Sequence, residues 1–246
     1  MRGKSFWNES RLDAASALRQ RRGWLGKGAA TAAGGMLIVL CTGVSGLGDT
    51  GREKIRLNAA DMRAARATVV RRAFFGPQPG WEGGPKKPTL SSPTPSCPNY
   101  HPKQSDLVLT GAAESVFRGH GFYFESDAQV LKTVAMVNLD WKRSVYPPGA
   151  LGCLGRLFAR KLPPGQRLRW FRRLRAPHLA NHVAGFRGLI SVPARDGSRV
   201  DVLTDILLFA QGRTEITFAG VAPARMRRRL VGWENDLIAQ LLGRQP

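Results

Sequence analysis

The stretch HVAGFRGLISVPARDGSRVDVLTDILLFAQGRTEITFAGV, from His182 to Val221, decides the fold. It contains three runs rich in β-branched and aromatic residues, at 182–192, 200–209 and 214–221. The first two runs are separated by Arg195-Asp196-Gly197-Ser198, and Asp-Gly is a strong signal for a tight hairpin turn. Gln211-Gly212-Arg213 separates the last two. Because connections this short join antiparallel neighbours, the stretch predicts three consecutive antiparallel strands.

The same reasoning extends toward the N-terminus. Residues 107–117 and 122–130 predict a second hairpin around Gly119-His120-Gly121, and residues 168–174 predict one further strand. Apolar residues recur at helical spacing in four other segments, at 58–72, 131–145, 150–161 and 222–241. The fold class expected is α+β: an antiparallel sheet of about five to six strands with helices packed on one face, preceded by a transmembrane or signal segment.

The amino-acid composition excludes two broad classes of protein. The chain has 246 residues, 43% of them hydrophobic, and 38 Lys and Arg against 17 Asp and Glu give a formal charge of +21. This apolar content excludes a wholly disordered chain. Only one long uncharged run occurs, from Gly28 to Gly48, which excludes a transporter with several spans. One basic globular domain with an attached segment is the expectation.

The attached segment is the N-terminus. Residues 1–27 carry seven basic side chains against two acids, and the 21 uncharged residues of 28–48 could span a bilayer as a helix. The basic flank would keep 1–27 in the cytoplasm and place the rest of the chain outside. Arg21-Arg22, followed by Gly23 and Trp24, resembles a twin-arginine export signal; a generic basic flank is the alternative.

The domain boundaries follow from these segments. Residues 1–27 are predicted as a basic cytoplasmic region and 28–48 as a transmembrane anchor or export signal. Residues 49–75 would form a linker and the first helix, and 76–105 a loop rich in Pro and Gly. The main extracytoplasmic α+β domain would occupy 106–246.

Two cysteines, Cys97 and Cys153, lie beyond the apolar segment. An even pair in an oxidising compartment predicts a disulfide, with two buried thiols as the alternative. The bond would close a loop of about 55 residues, and on the chain-entropy model this stabilises the fold by about 3–4 kcal/mol. No cysteine or histidine spacing suited to zinc occurs, so neither a metal nor another cofactor is expected.

Possible catalytic groups are few. Glu114, Glu125 and Asp127 would converge across one hairpin, and paired carboxylates serve as acid and base in glycoside hydrolysis. Salt bridging to neighbouring bases is the alternative. His178 and His182 have the i, i+4 spacing of metal ligands on a helix, but the sequence around them predicts a strand. The chain is therefore expected not to be an enzyme.

Arginines give the strongest functional signal. Sixteen Lys and Arg against four acids lie between Arg156 and Arg229. Strand periodicity would place four arginines on one face of the strand around Trp170, with Trp170 buried on the other: Arg167, Arg169, Arg173 and Arg175. Guanidinium rows bind phosphate and carboxylate groups, so these residues are candidate anion-binding residues. A solvated basic face is the alternative.

One local pattern resembles a known family. Phe124-Glu125-Ser126-Asp127, followed by a helix with Trp141 and then Cys153, is similar to the extracytoplasmic sensor-like domains of actinobacterial serine/threonine kinases and related secreted or lipid-anchored proteins. Those domains usually contain a second disulfide, which this chain lacks, and no kinase signature occurs. The resemblance implies an α+β ligand-binding domain with a cleft, and it transfers no individual site residue.

Two functions follow from the sequence. The first is a non-enzymatic extracytoplasmic binding or sensor-like domain, membrane-anchored or secreted, that contacts anionic lipid or cell-wall polymer. The second is a cytoplasmic basic protein that binds nucleic acid, with 28–48 as a core helix. The basic flank and the cysteine pair favour the first.

Overall fold

A computed structural model describes residues 53–90, 97–98, 100–175, 180–194 and 196–243. The predicted n-region, the anchor or export segment and Arg21-Arg22 lie outside these ranges. The strands are β1 (Lys54–Ile55), β2 (Glu82–Lys86), β3 (Val108–Gly119), β4 (Phe122–Leu131), β5 (Arg167–Leu174), β6 (His182–Pro193), β7 (Arg199–Gln211) and β8 (Thr214–Pro223). The α-helices are α1 (Ala59–Ala67), α2 (Val134–Asp140), α3 (Gly149–Arg160) and α4 (Arg227–Leu242).

Short irregular helices extend three of these elements. A 3₁₀ turn at Arg72–Phe75 follows α1, a π-helix at Trp141–Val145 continues α2, and a 3₁₀ turn at Ala224–Met226 precedes α4. In the part of the chain that the structure describes, no helix combines the length and the apolar character needed to cross a bilayer.

Local sequence signals set the element ends. The side chain of Asn58 accepts a hydrogen bond from the Asp61 backbone N–H at 2.9 Å and so caps α1. Thr133 caps α2 in the same way through the Met136 N–H. The β3–β4 hairpin turns at His120 and Gly121, whose φ angles of 53° and 82° are those of a tight two-residue turn.

The strands form one eight-stranded sheet in the order β1-β3-β4-β8-β7-β6-β5, with β2 paired to β3 beside this path. The β6, β7 and β8 strands pair antiparallel with their neighbours, as their short turns predict. Only β1 pairs in parallel, with Lys54 opposite Val108. β5 is the edge strand at the far end.

Both faces of the sheet are covered by helices. On one face, α2 and α3 pack through Val137, Cys153 and Phe158 against β4, β6 and β7. On the other face, α1 and α4 pack against Phe124, Phe218 and neighbouring residues. We call these the α2–α3 face and the α1–α4 face. All ten residues of β4 are buried, which requires cover on both sides.

The structure confirms the α+β class and the antiparallel sheet, and it differs from the sequence analysis in four details. The described residues form eight strands rather than five or six, and helices cover both faces rather than one. The 76–105 stretch contains β2, whose Pro85 is tolerated because β2 pairs on one side only. The helix expected from residue 131 begins after Thr133, and the chain before it belongs to β4.

Candidate functional site

The disulfide lies on the α2–α3 face. Cys97 and Cys153 are bonded, with their Cα atoms 5.7 Å apart, and both are buried. The bond attaches the Pro-rich stretch to α3. The same stretch is held by buried polar contacts, since the Gln104 amide donates to Asp140 at 2.7 Å and to the Ser144 hydroxyl at 2.8 Å. The predicted disulfide is confirmed in the structure.

The three carboxylates that the hairpin was predicted to bring together do lie on one face. Glu114 is opposite Asp127 in the β3–β4 register, and Glu125 lies two residues along β4 from Asp127. All three are almost inaccessible, with 0–3% of each residue exposed. Burial raises the pKa of Asp127 well above its usual value, and burial raises that of Glu125 to about 7. These carboxyls therefore belong to the protein interior.

Partners compensate part of this buried charge. Lys86 Nζ lies 2.6 Å from Glu114 Oε1, and the Tyr123 hydroxyl donates to Glu125 Oε2 at 2.7 Å. The other oxygens, Glu114 Oε2 and Glu125 Oε1, are buried and have no hydrogen-bond partner among the described residues. The nearby Glu114 also contributes to the raised pKa of Glu125.

Further carboxyls on this face were missed by the sequence analysis. Burial raises the pKa of Asp140, of Glu215 and, to about 8, of Glu53. Glu215 occupies the β8 position opposite the buried Gln129, a pairing between distant strands that the sequence does not indicate. A cavity of about 20 Å³ lies between Asp127, Asp140 and Glu215. It has the volume of about one water molecule, so a sugar ring has no room there.

His182 is held in a polar surface cluster. Its Nδ1 is 2.6 Å from the Tyr146 hydroxyl, its Nε2 is 2.7 Å from Asn138 Oδ1, and its ring stacks on Trp141 at 5.1 Å. Partial burial lowers the pKa of His182. Its predicted partner His178 lies outside the described residues, and the described ranges contain no group of three or more metal-ligating side chains.

A second buried network lies under α4. Arg187 on β6 is paired with Asp205 on β7, with Nε and Oδ1 2.6 Å apart, and Glu234 of α4 lies above them. Burial, reinforced by Asp205, raises the pKa of Glu234 well above its usual value. A Cβ at Gly220 would overlap Glu234 Oε1, so a side chain at this position on β8 would displace the Glu234 carboxyl from the network. The network fixes α4 on the sheet.

The predicted arginine row lies on the edge strand, and the structure divides it. A β-bulge between Leu168 and Trp170 shifts the alternation, so Leu168 and Phe171 share the α2–α3 face while Trp170 and Leu174 share the other. Period-2 counting across the bulge was therefore wrong. Trp170 is half-buried rather than buried, and the Arg172 guanidinium lies 4.4 Å from its ring centroid. The four predicted arginines are all exposed: Arg167, Arg169, Arg173 and Arg175.

A second cavity lies at the opposite end of the sheet from β5. It has a volume of about 510 Å³ and is bounded by α1, β2 and β3; we call it the α1 pocket. Apolar residues line most of it, and four basic side chains surround it: Arg66, Arg71, Lys86 and Lys87. The sequence analysis did not find this pocket, because its walls come from three segments that were predicted separately as a helix, a loop and a strand.

No protein-family model matches this sequence, and no curated protein matches it. Two solved mycobacterial structures are similar in chain path. An uncharacterized protein from Mycobacterium smegmatis is 12% identical with a TM-score of 0.39, over 74% of this chain and 98% of that one. LpqN of Mycobacterium tuberculosis, involved in cell envelope biogenesis, is 11% identical with a TM-score of 0.30, over 69% of this chain and 86% of that one. Scores of this size establish neither a family nor a shared site, so function is argued from this chain's own residues.

Proposed function

We propose that this protein is a non-enzymatic extracytoplasmic binding domain, membrane-anchored or secreted, that contacts phosphate-bearing anionic components of the cell envelope. The observation that carries the proposal is the buried disulfide between Cys97 and Cys153. Structural disulfides persist in oxidising compartments and are rare in the cytoplasm. The basic flank at 1–27 before the uncharged run at 28–48 supports the same orientation.

The expected contact surface is β5. It is an edge strand whose outer backbone groups are unpaired within the sheet, and its arginines are exposed. None of Arg167, Arg169, Arg173 and Arg175 belongs to an ion pair among the described residues. The Arg173 guanidinium lies 5.9 Å from the Phe186 ring centroid and, like the others, is exposed. Exposed guanidinium groups without an acidic partner bind phosphate oxygens in a bidentate manner, so this edge favours a phosphate-bearing polyanion.

Localisation is tested by fusing a reporter that is active only outside the cytoplasm after Leu47 and after Gly243. The proposal expects activity from the fusion at Gly243, together with Cys97 and Cys153 that resist alkylation until the protein is reduced. An inactive reporter at Gly243 with both thiols alkylated in the native protein would favour the cytoplasmic nucleic-acid-binding alternative.

Binding is tested with the full chain against three probes: phosphatidylglycerol vesicles, a purified phosphorylated wall polymer, and duplex DNA. R167Q/R169Q and R173Q/R175Q should each bind vesicles or polymer several-fold more weakly at low salt, and the difference should shrink at high salt because exposed charges are screened. R56Q/R63Q removes the same charge from exposed residues elsewhere and is the control. An equal loss in the control, or a preference for DNA, would contradict the β5 surface.

A further inference from the structure

We propose that the α1 pocket binds a single-chain amphiphile with an anionic head group, the alkyl chain inside the pocket and the head at its basic rim. This goes beyond the proposed function, because the pocket and β5 are separate and either activity can exist without the other.

The pocket exists because the outer edge of β3 is covered only in part. β1 pairs with β3 at Val108 and Leu109, and β2 pairs with it from Glu114 to Arg118. Between these two segments the edge is left to α1, which is held close at Gly111, where a Cβ would overlap the Asp61 carbonyl. The space beyond this contact, between α1 and β2, is the pocket.

Its walls suit an alkyl chain. The lining includes Val69 and Val70 after α1, Pro85 and Pro88 on and after β2, and Ala112 of β3. About 510 Å³ lies within the range of roughly 300–1,000 Å³ typical of small-molecule sites, which are mainly apolar with a few polar groups.

The rim supplies positive charge. Arg66, Arg71 and Lys87 line the pocket and are exposed, and none of them belongs to an ion pair among the described residues. One Arg71 amino group donates to the Arg66 carbonyl at 3.1 Å, which keeps its guanidinium beside the α1 end of the rim. A rim of three cations over an apolar interior is complementary to an anionic head on an apolar chain.

Among the described residues, Glu114 is the only acid that lines the pocket, and Lys86 Nζ lies 2.6 Å from its Oε1. The charges of Glu114 and Lys86 cancel, so this pair adds no net charge to the pocket. The excess charge of the pocket therefore comes from the three rim residues, and it places the head of the ligand at the mouth.

The test is calorimetric titration of the full chain with decanoate, decyl phosphate, 1-decanol and inorganic phosphate, each below its aggregation limit. Decanoate and decyl phosphate represent the two sources of an anionic head. At least one of them should bind at least tenfold more tightly than 1-decanol. Lengthening the alkyl chain of the anion that binds more tightly by two methylenes should tighten its binding by about tenfold, until the pocket is full.

Variants assign the binding to this pocket. R66Q/R71Q should weaken binding of the preferred anionic ligand by about tenfold and leave binding of 1-decanol unchanged. R56Q/R63Q makes the same charge change outside the pocket lining and should leave the binding of both ligands unchanged. Val69→Phe should block all chains, and its folding is checked by thermal unfolding. Because every variant retains residues 28–48, binding to that apolar run would not differ between them. Equal binding of 1-decanol and the anions, inorganic phosphate as tight as decyl phosphate, or no difference between R66Q/R71Q and R56Q/R63Q would overturn the inference.

Discussion

Replacing Glu125 by Gln should change how stability depends on pH. Burial holds the pKa of Glu125 at about 7 instead of its ordinary 4.5. Below pH 4 the carboxyl is protonated in both states. As the pH rises through 4.5 the unfolded chain loses the proton while the folded protein keeps it, so the free energy of unfolding falls until the pH passes 7. Glutamine removes this titration and can still accept from the Tyr123 hydroxyl.

At about 1.36 kcal/mol for each pH unit, the wild type should lose about 2–3 kcal/mol more than E125Q between pH 5 and pH 8. The measurement is urea unfolding of the oxidised protein at pH 5, 6, 7 and 8. Other buried carboxyls titrate in both proteins, so only the difference between the two curves reports on Glu125. Asp236→Asn, an exposed carboxyl of α4, should follow the wild type. Curves for E125Q and wild type that stay parallel within about 0.5 kcal/mol would refute the reasoning.

Three other perturbations test the fold. Cys97→Ser should lower the free energy of unfolding by about 4 kcal/mol, because the bond closes a separation of 56 residues, and reduced wild type should unfold at the same urea concentration as the variant. Gly220→Ala should destabilise the protein by about 1–3 kcal/mol, because the new Cβ overlaps Glu234. Gly232→Ala is the control: it lies in α4 with open space around it and should stabilise the protein by about 0.5–1 kcal/mol. Similar shifts in thermal unfolding for both variants would contradict the overlap. Trp170→Ala should cost about 2 kcal/mol, since the ring is half-buried; no change in the urea midpoint would mean that it packs on nothing.

The strands could be predicted because each carries its own local signal. The predicted runs 182–192, 200–209 and 214–221 agree with β6, β7 and β8 to within about two residues at each end. Their turns are set by residues in the chain itself, such as Asp196-Gly197. The two-sided cover has one signal in the sequence: Ile206–Ala210 is a continuous apolar run without the alternation of a half-exposed strand, and in the structure 202–210 is buried throughout. The sequence analysis used this run only to predict a strand.

What could not be predicted depends on pairing between distant segments. The bulge in β5 arises from its register with β6, and nothing in Arg167–Leu174 alone marks it. The α1 pocket requires β1 and β2 to leave part of the β3 edge open, which no single segment determines. The buried carboxyls on β3 and β4 could be placed on one face by periodicity, but their burial depends on α2 and on the loop that the disulfide holds.

The surface of the protein carries more positive charge than the residue counts suggest, because many of the acids are buried. Among the described residues, Arg187 is the only basic residue that is buried, whereas seven acids are buried: Asp61, Glu114, Glu125, Asp127, Asp140, Asp205 and Glu234. Glu53, with its pKa raised to about 8 mainly by burial, is largely neutral at pH 7. The formal charge of +21 therefore understates the positive charge, because it counts as ionised the carboxyls whose pKa burial raises: Glu53, Asp127, Asp140, Glu215 and Glu234.

Excess charge alone does not select a ligand, because salt limits the range over which charges act. The β5 edge and the α1 pocket lie at opposite ends of the sheet, and five strand spacings separate β5 from β3. At about 4.8 Å for each spacing, this is roughly 24 Å. The Debye length at physiological ionic strength is about 8 Å, so the arginines of β5 contribute almost nothing to the field at the pocket rim. Each basic feature must therefore hold an anion with its own side chains, and variants of one should leave the other intact.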